Sequence, residues 1–228
     1  MRNCWIIIKK QFKDTIKNKP ILIQFILFPI LTIVMETAIK LDGMPELYFT
    51  KLFSVMYMGM APLVATATII AEEKEKNTLR VLTMANVKPV QYLIGVGLYV
   101  WIICMCGAGL MSAMLKSEDI PFYLTVMAIG FIISIAAGAW IGIYARNQMV
   151  ATSMVMPAMI VFSFAPMLAM FNDGIEKVAR FFYTQQLRTL LDLNSFERMK
   201  TGGIIILAVN AAVMIAAFFV TFKRKGLE

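Results

Sequence analysis

Residues 52–80 read LFSVMYMGMAPLVATATIIAEEKEKNTLR, twenty residues without a charge and then nine of which six are charged. A hydrocarbon core of about 30 Å, crossed at 1.5 Å per residue, takes about 20 helical residues. The stretch therefore predicts a membrane-spanning helix over 52–71 that ends abruptly in a charged aqueous segment. Five further apolar runs of similar length lie at 21–39, 93–115, 122–144, 149–171 and 203–222. Hydrophobic residues make up 60% of the 228 and charged ones 16%, against 45–50% and roughly 25% in soluble domains. The expected fold class is all-α: one membrane domain over 1–228 with six transmembrane helices.

The composition also excludes chemistry. There is no histidine, which removes imidazole general acid/base catalysis and imidazole metal sites. Ser112, Ser134, Ser153 and Ser163 accordingly have no histidine to activate them, and no serine–lysine arrangement stands out within the spans. Cys104 and Cys106 sit in an apolar run and read as structural thiols; with Cys4 alone near the N-terminus, no disulfide framework is implied. No phosphate-binding GxxxxGK[ST] loop occurs, so ATP binding is expected on another chain. The chain itself is expected to be non-catalytic, with no cofactor and no metal site.

Outside the spans the charges are patterned. Residues 1–20 repeat Trp5, Ile8, Phe12 and Ile16 at helical spacing among Lys9, Lys10, Lys13 and Lys17, which predicts an amphipathic helix lying on an anionic membrane surface rather than a nucleic-acid contact. No small-residue cleavage pattern closes the first apolar run, so that span is expected to stay in the mature protein. It carries Pro29 and, near its far end, Glu36, which either snorkels to the surface or lines a substrate path. Gly138 and Gly142 have the spacing of a small-xxx-small helix contact. Pro157 and Pro166 in the fifth span imply kinks and unpaired carbonyls that neighbours must satisfy. The connection 172–202 begins with Asp173 and Glu176, which suit a helix start, and mixes apolar anchors with charges, as interfacial helices do.

Placing residues 1–20, 72–92, 145–148 and 223–228 on one side gives that side 14 Lys/Arg against 5 Asp/Glu, and leaves 8 against 9 on the other. By the positive-inside rule both termini are expected in the cytoplasm and 172–202 outside.

The stretch from Ala71 to Gly95, AEEKEKNTLRVLTMANVKPVQYLIG, carries a resemblance that extends over residues 1–222. With the basic N-terminal segment, six spans and the long connection before the last, it resembles the type 2 ABC exporter permeases of bacteria. In that family, acidic residues after the second span precede a Gly-Thr, a leucine-rich half-turn and a proline before the third span. Glu73 and Glu75 meet the acidic positions, Thr78 the threonine, Leu79 and Leu82 the leucines and Pro89 the proline. Asn77 stands where glycine is usual, a modest departure because Asn tolerates left-handed backbone.

The resemblance implies a permease in the bacterial cell membrane, inner or plasma. It implies a dimer with a second copy or a related permease, and a separate cytoplasmic ABC ATPase that holds ATP and Mg. Segment 72–92 would be the coupling loop, with Glu73, Glu75, Thr78, Leu79, Arg80 and Leu82 transmitting motion. On physical grounds alone, Leu79 and Leu82 on one side of a short helix, with Lys76 and Arg80 on another, suit docking in a partner's groove. A hydrophobic or amphipathic cargo (peptide, drug or lipid) is expected, meeting Met56, Met60, Met159 and Phe162 on the second and fifth spans unless these side chains face membrane lipids. The rival reading is an ATPase-independent secondary transporter, or a membrane scaffold that recruits factors through 72–92. Ion-coupled carriers need buried midplane carboxylates or broken-helix ion sites; the prolines permit the second, and convincing buried ionisable residues are missing.

Overall fold

The computed structural model describes residues 2–39, 43, 45–78 and 89–225. The described helices are α1 (Arg2–Lys17), α2 (Lys19–Ala38), α3 (Tyr48–Glu75), α4 (Pro89–Met111), α5 (Ile120–Tyr144), α6 (Gln148–Leu168), α7 (Asp173–Ala179), α8 (Tyr183–Leu193) and α9 (Thr201–Lys225). A short 3-10 turn, Ser112–Met114, extends α4. Helices α2, α3, α4, α5, α6 and α9 are long and apolar enough to cross a membrane. The protein is thus an all-α, multi-pass membrane bundle.

The helix boundaries run past the hydropathy boundaries. Glu72 to Glu75 form the last turn of α3, and α4 starts at Pro89, where the missing N–H of a first-turn proline costs nothing. Asn77 then closes α3 in the left-handed conformation, φ 54°, with its N–H donating to the Lys74 carbonyl at 3.0 Å. An Asn in place of glycine at this position works as its tolerance of that conformation suggests.

Helix α3 is the centre. It packs on α2, α4, α5, α6 and α8, and 89% of its span is buried, against 6% of α9. Small residues make this possible. Gly138 and Gly142 of α5 lie so close to α3 that an added Cβ would run into the Leu63 carbonyl oxygen in the first case and sit 2.9 Å from the Ala67 carbonyl oxygen in the second. Leu63 and Ala67 are themselves one turn apart, so the small-xxx-small ridge of α5 lies directly on one backbone strip of α3. Gly59 of α3 meets α6 in the same way, 2.8 Å from an added Cβ to the Phe162 carbonyl oxygen.

Prolines 29 and 62 lie inside α2 and α3 and cannot donate to the carbonyl four residues earlier. Each released carbonyl finds a hydroxyl on another helix. Tyr57 Oη donates to Phe25 O at 3.2 Å. Ser134 Oγ of α5 donates to Met58 O at 2.6 Å, and the Tyr183 hydroxyl of α8 lies 2.7 Å from the same Oγ. The one Ser134 proton faces two carbonyls, Met58 O and, at 2.9 Å, Gly130 O of its own helix, so the hydroxyl oxygen accepts from Tyr183. In α6, Pro166 releases the Phe162 carbonyl, the one lying against Gly59.

At the end opposite α1, Glu36 is half-buried against the start of α3. Its Oε2 accepts from Thr50 N at 2.7 Å and Thr50 Oγ1 at 3.0 Å, capping the first turn of α3 from outside. Around it, Asp192 of α8 faces Lys51 and Arg188, both at 3.7 Å. The Arg188 guanidinium also donates to the Pro166 carbonyl. Asn172 caps α7, accepting from Gly174 N at 2.8 Å and Ile175 N at 3.2 Å.

Ser134→Ala should destabilise the folded protein by about 1–3 kcal/mol, since it leaves the buried Met58 carbonyl without a donor. In a Pro62→Ala background the backbone supplies that donor, and the penalty of Ser134→Ala should fall by at least half. Thermal unfolding of the four variants in detergent measures the difference; equal penalties in both backgrounds would refute the assignment.

Candidate functional site: the polar junction where the central helix ends

Successive helical residues are 100° apart, so four in a row reach almost all round the axis. The run Glu72-Glu73-Lys74-Glu75, placed at the end of a helix surrounded on all sides, therefore meets a different neighbour at each position. Glu73, 6% exposed, points to α1, where its Oε1 accepts from Gln11 Nε2 at 2.7 Å and pairs with Lys10. Glu72 turns to the α1–α2 junction, accepting from Asn18 Nδ2 at 3.4 Å, and pairs with Lys76 one turn on. Lys74 Nζ donates to Ile143 O, 2.8 Å away in the last turn of α5. Glu75 Oε2 accepts from Gln148 N, 3.0 Å away in the first turn of α6.

Each of the last two contacts places a charge of the favourable sign at a helix end, a cation on the carbonyls of α5 and a carboxylate on the N–H groups of α6. The Asn147 side chain completes the α6 cap by accepting from Val150 N at 2.8 Å. Beside Lys76, the Glu72 carboxylate raises the ammonium pKa through a hydrogen bond and its charge.

Helix α1 meets this junction through an unexpected face. Ile7, Gln11 and Thr15, one turn apart each, are its buried stripe, while Trp5 and Phe12 are more than half exposed. Ile7 lies against Gly95 of α4, its Cγ2 2.9 Å from where a Cβ would be. The aromatic residues of the amphipathic pattern thus face away from the bundle, and a largely polar stripe docks on it. A cleft of about 630 Å³ opens between α1 and the end of α3, lined by Lys10, Asp14, Asn18, Glu72, Lys76 and Thr78 among others. Its mixed charges favour neither an anion nor a cation. Within the junction, Glu73 Oε2 and the buried Tyr92 hydroxyl have no hydrogen-bond partner among the described residues.

Of the coupling residues read from the sequence, Glu73 and Glu75 sit in this junction, and Thr78 lines its cleft. Leu79, Arg80 and Leu82 lie outside the described residues. The four cargo-path residues divide in two. Met56 and Phe162 are each 8% exposed and belong to the core of the protomer. The Phe162 ring packs on Phe182 and Tyr183, with centroids at 5.9 and 5.1 Å. Met60 and Met159 are half-buried at the edge of that core. Lys10, Gln11, Lys74 and Gln148 were missed as members of the site. The basic face of residues 1–20 was visible, and the backbone of Gln148 carries no sequence signal at all.

Six helices long and apolar enough to cross a membrane, gathered round one central helix whose end fans into three neighbours, define a multi-pass membrane bundle. Residues 7–223 match the family described as ABC-2 family transporter protein, and with nearly the whole chain covered the protein belongs to that family. No curated protein matches the chain.

Replacing Asn77 tests the end of α3. Asn77→Val should cost about 1–2 kcal/mol, because a β-branched residue is strained at positive φ, whereas Asn77→Gly should stay within a few tenths. Thermal midpoints of the two variants against the parent protein decide it; equal midpoints would mean that φ 54° is not maintained.

Proposed function

We propose that the chain is the transmembrane permease subunit of an ATP-driven exporter of the type 2 ABC class, coupled to a separate cytoplasmic ATPase that binds ATP and Mg. The observation that carries this reading is the fan of contacts at Glu72 to Glu75. The segment that follows, 78–88, continues from the end of α3, the helix that packs on α2, α4, α5, α6 and α8. A push on it would reach α1 through Glu73, α5 through Lys74 and α6 through Glu75, without chemistry in this chain.

ATP-driven closure of the partner would act by favouring one of two bundle arrangements, since binding can only bias an equilibrium between states that differ in affinity. The dynamic link is the junction's spare bonding capacity. Glu73 Oε2 and Tyr92 Oη are shielded and without a partner among the described residues, and a shift of α3 relative to α4 would let the Tyr92 hydroxyl donate to the carboxylate.

In this reading the chain sits in the bacterial cell membrane with its α1 end and both termini cytoplasmic, as the 14-to-5 charge asymmetry favours. It works with a second copy or a related permease. A hydrophobic or amphipathic cargo is proposed, and Met60 and Met159 remain the better placed of the original path residues because they are not sealed in the core. Adaptable methionine surfaces suit cargo of varied shape.

Two experiments test this reading. In the assembled complex, Leu79→Asp with Leu82→Asp should abolish cargo-stimulated ATP turnover while membrane insertion and assembly persist; unchanged stimulation in an intact complex would sink the coupling role. For orientation, single cysteines introduced at 119 and 192 should react with an impermeant maleimide in intact cells, and one at 76 should not. The reverse pattern would overturn the topology.

A further inference from the structure

Between α4, α5 and α9 the surface of the bundle is indented by a groove of about 560 Å³. Its walls include Leu98 and Trp101 of α4, Ile132 and Ala136 of α5, and Phe218 and Phe222 of α9. All three helices are membrane-spanning, so the groove lies at hydrocarbon depth. Gly97 in one wall and Ala136 in another keep it open. Its lining is apolar except for the shielded Thr66 hydroxyl and the Trp101 indole N–H, which is aimed at Ala128 O at 3.4 Å.

The groove has a direction. One end is marked by Val90, in the first turn of α4, and by Phe222, in the last turn of α9. Trp101 lies eleven residues further along α4, about 16 Å at 1.5 Å per residue. That is close to half of the roughly 30 Å hydrocarbon core, the depth of one leaflet. At the Phe222 end, Lys223 and Arg224 follow immediately, both exposed and without an ion pair among the described residues.

We propose that this groove is a specific site for an anionic glycerophospholipid, one acyl chain lying along α4, α5 and α9 and the phosphate headgroup held at the mouth by Lys223, which borders the Phe219–Phe222 face of α9; Arg224, about 200° round the helix from Phe222, points away from it. A leaflet-deep apolar slot selects a chain, and the cation at its open end selects the charge of the head. An anionic headgroup gains roughly fivefold in association for each basic residue near the membrane surface. The site is independent of how transport is energised, and it bears on α9, the least buried of the spans, whose contact with α5 a seated chain would complete.

Trp101 makes the site measurable, because brominated acyl chains quench a tryptophan they touch. The full chain with Trp5→Phe and Trp140→Phe keeps Trp101 as its one tryptophan. Reconstituted in mixed vesicles, this protein should show dibrominated phosphatidylglycerol outcompeting phosphatidylcholine for contact with Trp101 by about fivefold or more at low salt. The preference should shrink as salt is raised. Lys223→Gln should bring it to about onefold without loss of folding, since the side chain does not pack in the bundle, whereas Arg224→Gln should leave it nearly unchanged. Ala136→Phe should displace the chain and lower quenching by both lipids. Equal quenching by the two brominated lipids in the parent protein would overturn the proposal, as would a preference that survives Lys223→Gln. Either result would mean that the groove holds bulk lipid or another occupant.

Discussion

No water reaches the middle of a membrane-spanning bundle, so a carbonyl released by a proline must find a donor inside the protein. That constraint organises this chain. Pro62 breaks the ladder of α3, and the freed Met58 carbonyl is answered from α5 by Ser134, which is answered in turn from α8 by Tyr183. Pro29 does the same between α2 and α3 through Tyr57. The bonds that repair the broken helices are therefore the bonds that join them. With Gly138 and Gly142 letting α5 lie on the α3 backbone, they make α3 the helix from which the others take their positions.

Charge is confined to the two ends of α3, and there it acts on helix termini. Glu36 sits at the N-terminus of α3, Glu75 at the N-terminus of α6 and Lys74 at the C-terminus of α5. Each interaction has the sign that the aligned peptide dipoles favour. These contacts hold the helix ends in register, while the middles are joined by the hydroxyl–carbonyl bonds and by close backbone approach at glycines.

Helix α1 illustrates how a surface pattern can serve two purposes. Its exposed aromatic residues, Trp5 and Phe12, and its lysines suit the lipid headgroup region. Its buried stripe of Ile7, Gln11 and Thr15 belongs to the bundle, and Gln11 and Lys10 both end at Glu73. Helix α1 is thereby tied to a residue in the last turn of the central span.

The sequence alone determined the class of fold, because the length needed to cross hydrocarbon is a local property of about 20 residues and each span satisfies it by itself. It also determined that Asn77 can end a helix in the left-handed conformation, since that depends on the residue's own side chain, and that Gly138 and Gly142 form a contact ridge. It did not determine what that ridge touches. Nor could it tell that Glu36 caps α3, that Met56 and Phe162 lie in the core, or that Gln11 rather than Phe12 meets the protein. In a membrane both lipid and protein neighbours are apolar, so hydrophobicity no longer says which way a helix is turned about its axis. Rotation was settled only when the helices packed, by backbone close approach at glycines and by hydroxyls reaching the carbonyls that prolines left open.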